Sequence, residues 1–155
     1  MAKPLRGKKR PSKTLTHVEF GFTSAVEFWH EVVLRARSRF LGHQNRQHAI
    51  EAAWAAWHLH EWIWHDMHSG KRASGGDYTT FRDGLLAACL ELVWMRDVAD
   101  AGKHRALGRA EIMKGRARSG HARTPLCIHV DGKDYEFADA LERVIGWWRT
   151  HHFPS

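Results

Sequence analysis

Two long stretches of this chain place their distinctive residues at alternating steps of four and three. The first runs Ile50, Trp54, Trp57, Glu61, Trp64, His68, and the second Leu86, Leu90, Val93, Asp97, Asp100, His104. Such steps mark one face of an α-helix. They predict one helix over about 45–68 and another from Asp77 or Thr80 to about Ala101, stopped by Gly102. An earlier helix is expected from Ser24, where Ser24-Ala25-Val26-Glu27 has the form of a capping box, to about Phe40. Its apolar line is Ala25, Trp29, Val32, Ala36 and Phe40, and Gly42 is its terminator. The period changes after residue 125. Leu126, Ile128 and Val130 alternate with polar or small residues, Asp131-Gly132 marks a tight turn, and Tyr135 and Phe137 alternate on the return, which predicts a hairpin over about 126–137. A third strand is expected around Arg109–Met113, with Lys114–Arg123 as a loop, and residues 138–151 return to helical spacing.

The pattern therefore predicts a mainly α protein with a small β part, an α+β fold: a bundle of three long helices, a β-hairpin and a C-terminal helix. Residues 1–17 read as a flexible basic arm, since Pro4, Gly7, Pro11 and Ser12 stand among cations with little to bury. Residues 18–155 read as one domain, in keeping with 155 residues of which 43% are hydrophobic. Eight Trp and seven Phe make its core aromatic. Two cysteines, Cys89 and Cys127, are too few for a disulfide framework and lack metal-ligand spacing. No stretch has the roughly 18 apolar residues of a membrane span, and the basic N-terminus is not followed by the apolar segment of a signal peptide. A cytoplasmic protein without a membrane partner is expected.

Charge changes the picture more than composition does. Residues 1–13 hold six cations, Lys3, Arg6, Lys8, Lys9, Arg10 and Lys13, and no acid. Residues 103–123 hold seven, Lys103, Arg105, Arg109, Lys114, Arg116, Arg118 and Arg123, against Glu111 alone. The rest of the chain carries eleven cations and sixteen acids, so the overall +7 lies in two segments. Segregation of this kind is the footprint of a surface that faces a polyanion. Lys8, Lys9, Arg10, Arg105, Arg109, Arg116, Arg118 and Arg123 are the candidate nucleic-acid contacts, with RNA or DNA as partner and an acidic protein surface as the other option.

The second helical seam ends in groups that a core does not require. Antiparallel pairing of the two long helices brings Asp97, Asp100 and His104 toward His43, Asn45, Arg46 and His48. This is either a set of ion pairs at a bundle end or a site. As a site it offers metal-independent RNA cleavage, with the His104 imidazole moving a proton, the Arg96 guanidinium holding phosphate, and Asp97 and Asp100 beside them. Arg96-Asp97 followed by His104 resembles the HEPN family, helical-bundle ribonucleases of toxin and defence systems, whose motif is an Arg, usually a polar residue next, and a His after four to six residues. Here seven residues intervene. The resemblance implies a ribonuclease of a bacterial or phage defence or counter-defence system, with a site formed across a homodimer and no cofactor.

Ala56-Trp57-His58-Leu59 with Trp62 and Trp64, then Met95-Arg96-Asp97-Val98 and Lys103-His104-Arg105-Ala106-Leu107, resemble small uncharacterised bacterial and phage-borne proteins over about residues 45–110. That resemblance implies a bacterial or phage source and no activity. Two alternatives stand beside the nuclease. Four tryptophans on one helix, at 54, 57, 62 and 64, suit a non-catalytic interaction or inhibitor module. His58, Glu61, His65 and His68 on one helix face suit a metal-binding bundle, although no metal ligand is assigned.

Overall fold

The computed structural model describes residues 21–104, 111–114 and 125–154. Among these residues five helices and a small antiparallel sheet form an α+β fold. The arm at 1–17 and the loop at 115–123 lie outside the described residues.

Helix α1 occupies Ala25–Gly42 in three pieces, regular over Ala25–Phe28 and Leu34–Gly42 and widened into a π-turn over Trp29–Val33. The wide turn inserts one residue into the helical repeat. As a result Val33 (1% exposed), rather than the expected Val32, follows Trp29 into the core, ahead of Ala36 and Phe40. Ser24 caps the helix by accepting from the Glu27 N–H at 3.2 Å. The Glu27 carboxylate turns to the Thr23 N–H at 2.6 Å, one residue earlier than a capping box requires. The Ala25 N–H donates to Asp66 at 2.8 Å, which ties the start of α1 to the end of the next helix.

Helix α2, Arg46–Met67, is capped by Asn45, which accepts from the His48 N–H at 2.9 Å. It ends through Ser69 and Gly70, both at positive φ, with the Gly70 N–H bonded back to the His65 carbonyl at 2.8 Å. Its buried line is shifted from the expected one. Trp57 and Trp64 of that line are buried, together with Ala49, Ala52, Ala53, Ala56, Leu59, His60 and Ile63, whereas Ile50 and Glu61 are half-buried and Trp54 is exposed. Alanines let neighbouring helices approach closely, and the large rings at 54 and 62 flank that contact.

The expected third long helix is two helices, α3 (Gly75–Ala88) and α4 (Leu90–His104). Cys89 between them is extended (φ −138°, ψ 102°), and its carbonyl accepts the Leu92 N–H at 3.2 Å. Ala87-Ala88-Cys89-Leu90 contains no breaking residue, so packing causes the break. It sends Leu85 and Cys89 inward and leaves Leu90 61% exposed, which interrupts the expected Leu86–Leu90–Val93 seam. Gly102 does not end α4, which continues to His104.

Strands β1 (Glu111–Lys114), β2 (Leu126–Val130) and β3 (Lys133–Glu136) form an antiparallel sheet in that order. Glu111 stands opposite His129, Lys114 opposite Leu126, and Val130 opposite Lys133. The third strand thus falls where expected over Glu111–Met113 and runs one residue further, which takes Lys114 out of the loop. Asp131 (φ 49°) and Gly132 (φ 77°) make the β2–β3 turn, in which both central residues have positive φ. Nothing crowds a Cβ at Gly132, so the cost of Gly132→Ala is in the backbone alone. A loss of about 1 kcal/mol is expected, read as a thermal midpoint lower by about 2–4 °C. An unchanged midpoint would show that the turn tolerates a left-handed alanine.

Phe137, expected in the return strand, instead opens helix α5, Phe137–His151. Helix α5 buries Phe137, Ala140, Leu141, Val144, Ile145 and Trp148, packs on α2 and α4, and carries β2 and β3 on its flank. Trp148 is fully buried, and its Nε1–H donates to the Ala56 carbonyl of α2 at 3.1 Å. No described helix is long and apolar enough to cross a membrane.

Candidate functional site

Helices α2 and α4 run antiparallel. Tyr78 and Phe81 of α3 meet α2 at His60 and Trp64, whereas Ala99 of α4 shares a groove with Ile50, Glu51 and Ala55. The polar end of α4 therefore reaches the first turns of α2, as expected.

At that end Asp97 is 7% exposed, on the buried side of α4 with Val98 and Ala99. A carboxylate so placed needs a partner, and it receives one from the adjacent residue. The Arg96 Nε and Nη2 donate to the same Asp97 oxygen at 3.0 and 2.8 Å. Arg96 keeps 33% of its side chain in solvent, so its guanidinium is held in place and still reachable. Asp100 is exposed. His104 is the last residue of α4, and its side chain lies outside the described residues. Arg46 is exposed at the start of α2, and Asn45 and His48 are joined to each other at 3.1 Å. The structure thus joins Arg96 to Asp97 and leaves Asp100 on the surface. Lys8, Lys9, Arg10, Arg105, Arg109, Arg116, Arg118 and Arg123 lie outside the described residues.

The histidines of α2 do not converge. The His58 Nδ1 bonds Glu61 at 3.1 Å, and this bond holds the Glu61 carboxyl below its ordinary value. The His68 Nδ1 donates to the Trp64 carbonyl at 3.0 Å, and its ring stacks on Trp64 at 3.6 Å. Among the described residues no group of three or more His, Cys, Asp or Glu could hold a metal ion.

A different histidine is buried and bonded at both ring nitrogens. His60 is 1% exposed within the aromatic contact of α2 and α3. Its Nδ1 lies 2.5 Å from the Trp57 carbonyl, which can only accept, so Nδ1 carries the proton. The neutral ring then has Nε2 as an acceptor, and the Tyr78 hydroxyl donates to it at 2.6 Å. Burial lowers the His60 value, against the opposing bond to Trp57. Burial also pushes the Tyr78 phenol up to about 12, with Glu61 adding to the shift. The pair is a closed polar bridge that pins α3 to α2. It lies outside the expected site, and its one trace in the sequence is a histidine three positions from both Trp57 and Ile63.

The surface of the described residues includes two open grooves. One, of 390 Å³, lies between α1, α2 and α4 and is lined by Val32, Ala36, Arg39, Ile50, Glu51, Trp54, Ala55 and Ala99. The other, of 590 Å³, lies between α1 and the end of α5, and its lining includes Val26, Leu34, His30, Arg149 and His152. No family model, curated protein or solved structure matches the chain.

Proposed function

We propose that this chain is a helical nucleic-acid-binding protein that grips a phosphate backbone through residues 1–13 and 103–123. The observation that carries the reading is the separation of charge. Thirteen of the 24 cations stand in those two segments beside a single acid, while the remaining chain is net negative. A polyanion approaching such a molecule is attracted to the two segments and repelled by the rest, which sets its orientation.

The fold supports the reading by tethering the longer segment at both ends. Residues 103–123 leave from the end of α4, pass through β1 and return to β2, and α4 packs against β1. The contact of β1 with α4 brings the described part of the segment, Glu111–Lys114, back to the helix from which the segment departs.

Metal-independent cleavage by Arg96 and His104 belongs to the same reading. Both stand on α4 and are separated by about 12 Å of helical rise. That separation suits a site assembled from two copies better than one within a single chain, in keeping with the homodimer that the HEPN resemblance implies.

The test is a titration of labelled RNA and DNA at several salt concentrations with EDTA present. The logarithm of the affinity should fall linearly with the logarithm of salt, with a slope of about −0.9 per phosphate contacted on duplex DNA. Removal of residues 1–13 should make the slope shallower. Strand scission in EDTA that is lost in His104→Ala would establish the nuclease. Affinity insensitive to salt, or no affinity, would overturn the reading and favour a second one, a non-catalytic module for an acidic protein surface. What favours that alternative is the 590 Å³ groove, whose lining carries His30, Arg149 and His152 on an apolar floor and no acid.

A further inference from the structure

We infer that the 390 Å³ groove between α1, α2 and α4 is a subsite for one unpaired nucleobase, stacked on Trp54, and hence that the nucleic acid bound is single-stranded. The inference rests on the binding function proposed above and names its substrate class.

Trp54 is the most exposed of the four tryptophans of α2, Trp62 being half-buried. Trp57 and Trp64 are buried at 7% and 5% exposure, whereas Trp54 is 39% exposed and lines the groove. Its position is nevertheless fixed. The His58 ring lies against it at 4.8 Å and the Phe28 ring at 6.4 Å, and Phe28 is itself stacked on Trp62 at 5.1 Å. An indole packed on one side and open to a groove on the other is a stacking platform that loses little entropy on binding.

The rest of the lining suits a flat aromatic guest. Ala36, Ala55 and Ala99 bring small side chains from three helices to the floor, and Val32 and Ile50 add apolar wall. The volume falls within the range of about 300–1,000 Å³ typical of small-ligand sites.

Charge orients the strand. Of the arginines on the second half of α1, Arg35 is paired with Glu31 and Arg37 with Glu142. Arg39 is exposed at the groove and, among the described residues, bridges no carboxylate. A backbone phosphate would take Arg39 as its partner. Glu51 stands on the same lining, hydrogen bonded by Gln47 at 3.1 Å, and repels phosphate, so that the base rather than the backbone turns inward. Ala99 lies five residues before the end of α4, so a strand seated here also passes the helix end from which the basic segment leaves.

Duplex is excluded by the same geometry. Both faces of a paired base are covered by its neighbours in the stack, and only an unstacked base can offer one to an indole.

The experiment measures anisotropy of a short labelled oligonucleotide, single-stranded or annealed to its complement, with wild type, Trp54→Ala, Trp54→Phe and Arg39→Gln. The single strand should bind more tightly than the duplex. Trp54→Ala should weaken the single strand about tenfold, the effect of losing one stacked base, with the duplex unchanged. Trp54→Phe should retain most of the affinity, and Arg39→Gln should weaken binding while reducing its salt dependence. Wild type that binds both forms alike, with Trp54→Ala moving neither, overturns the subsite and leaves nucleic-acid binding standing. Binding of neither form by the wild type overturns the binding function and the subsite together.

Discussion

Trp148→Ala is expected to lower the stability of the fold by about 3–5 kcal/mol, the cost of deleting a large ring from a packed core. Trp148 is the largest fully buried side chain and sits where α5 crosses α2. Its indole packs against Trp147 and His152 with centroids at 4.8 and 5.1 Å and donates to the Ala56 carbonyl, so truncation removes area and a hydrogen bond together. For a chain of this length the thermal midpoint should fall by roughly 10 °C. Trp148→Phe separates the two contributions, since it keeps most of the ring and loses the donor, for about 1 kcal/mol of hydrogen bonding and a smaller packing loss. Urea unfolding of the three proteins measures both. A loss under about 1 kcal/mol for the alanine variant would mean that α5 adds little to holding the fold together.

Acid should weaken the protein through His60. Its value in the folded chain is lowered by burial, so the fold holds it neutral. Above about pH 6.5 the unfolded chain also keeps it neutral, and the group contributes no pH dependence. As the pH falls below that value the unfolded chain takes up a proton that the folded chain refuses. Stability then declines by up to about 1.4 kcal/mol per pH unit until the folded value is reached. Protonation would also place a proton on Nε2, so that the Tyr78 hydroxyl, 2.6 Å away, would have to turn from donor to acceptor. Unfolding free energies from pH 7 to 5.5 should therefore slope more steeply in the wild type than in His60→Gln. Equal slopes would place the acid sensitivity among the other histidines.

The sequence made the helices legible where apolar spacing and a cap agree, as at Ser24 and Asn45, or where spacing alone is regular, as over residues 138–151, and the hairpin where Asp131-Gly132 demands positive φ. It did not reveal the break at Cys89, because Ala87, Ala88 and Leu90 are all helix formers and tertiary packing overrides them. The π-turn is invisible for the same reason, since Trp29–Val33 reads as ordinary helix. In α2 the four-three spacing placed Ile50, Trp54 and Glu61 on the inner face with Trp57 and Trp64, whereas only the last two are buried and the rest of the contact is made by alanines that permit close approach. Of the candidate site, the sequence located the polar end of α4 and its position beside the start of α2. It missed that Arg96 and Asp97 satisfy one another, a contact between adjacent residues that no face-based pattern contains. It missed the His60–Tyr78 bridge because Tyr78 stands at the expected helix start, between Asp77 and Thr80, off the apolar seam that the spacing picks out.

The extended residue at Cys89 sets the order in which the fold comes apart. Helix α3 buries Tyr78 and Leu85 alone among its fourteen residues, and the interruption uncouples its backbone ladder from that of α4. Segments with so little buried surface open in native conditions at a fraction of the global free energy. When α3 lifts, the Tyr78 hydroxyl leaves with it and His60 meets water while α2, α4 and α5 remain packed. Protons thus reach the buried imidazole through a local opening, and amides of α3 should exchange with solvent well before those of the three helices beneath it.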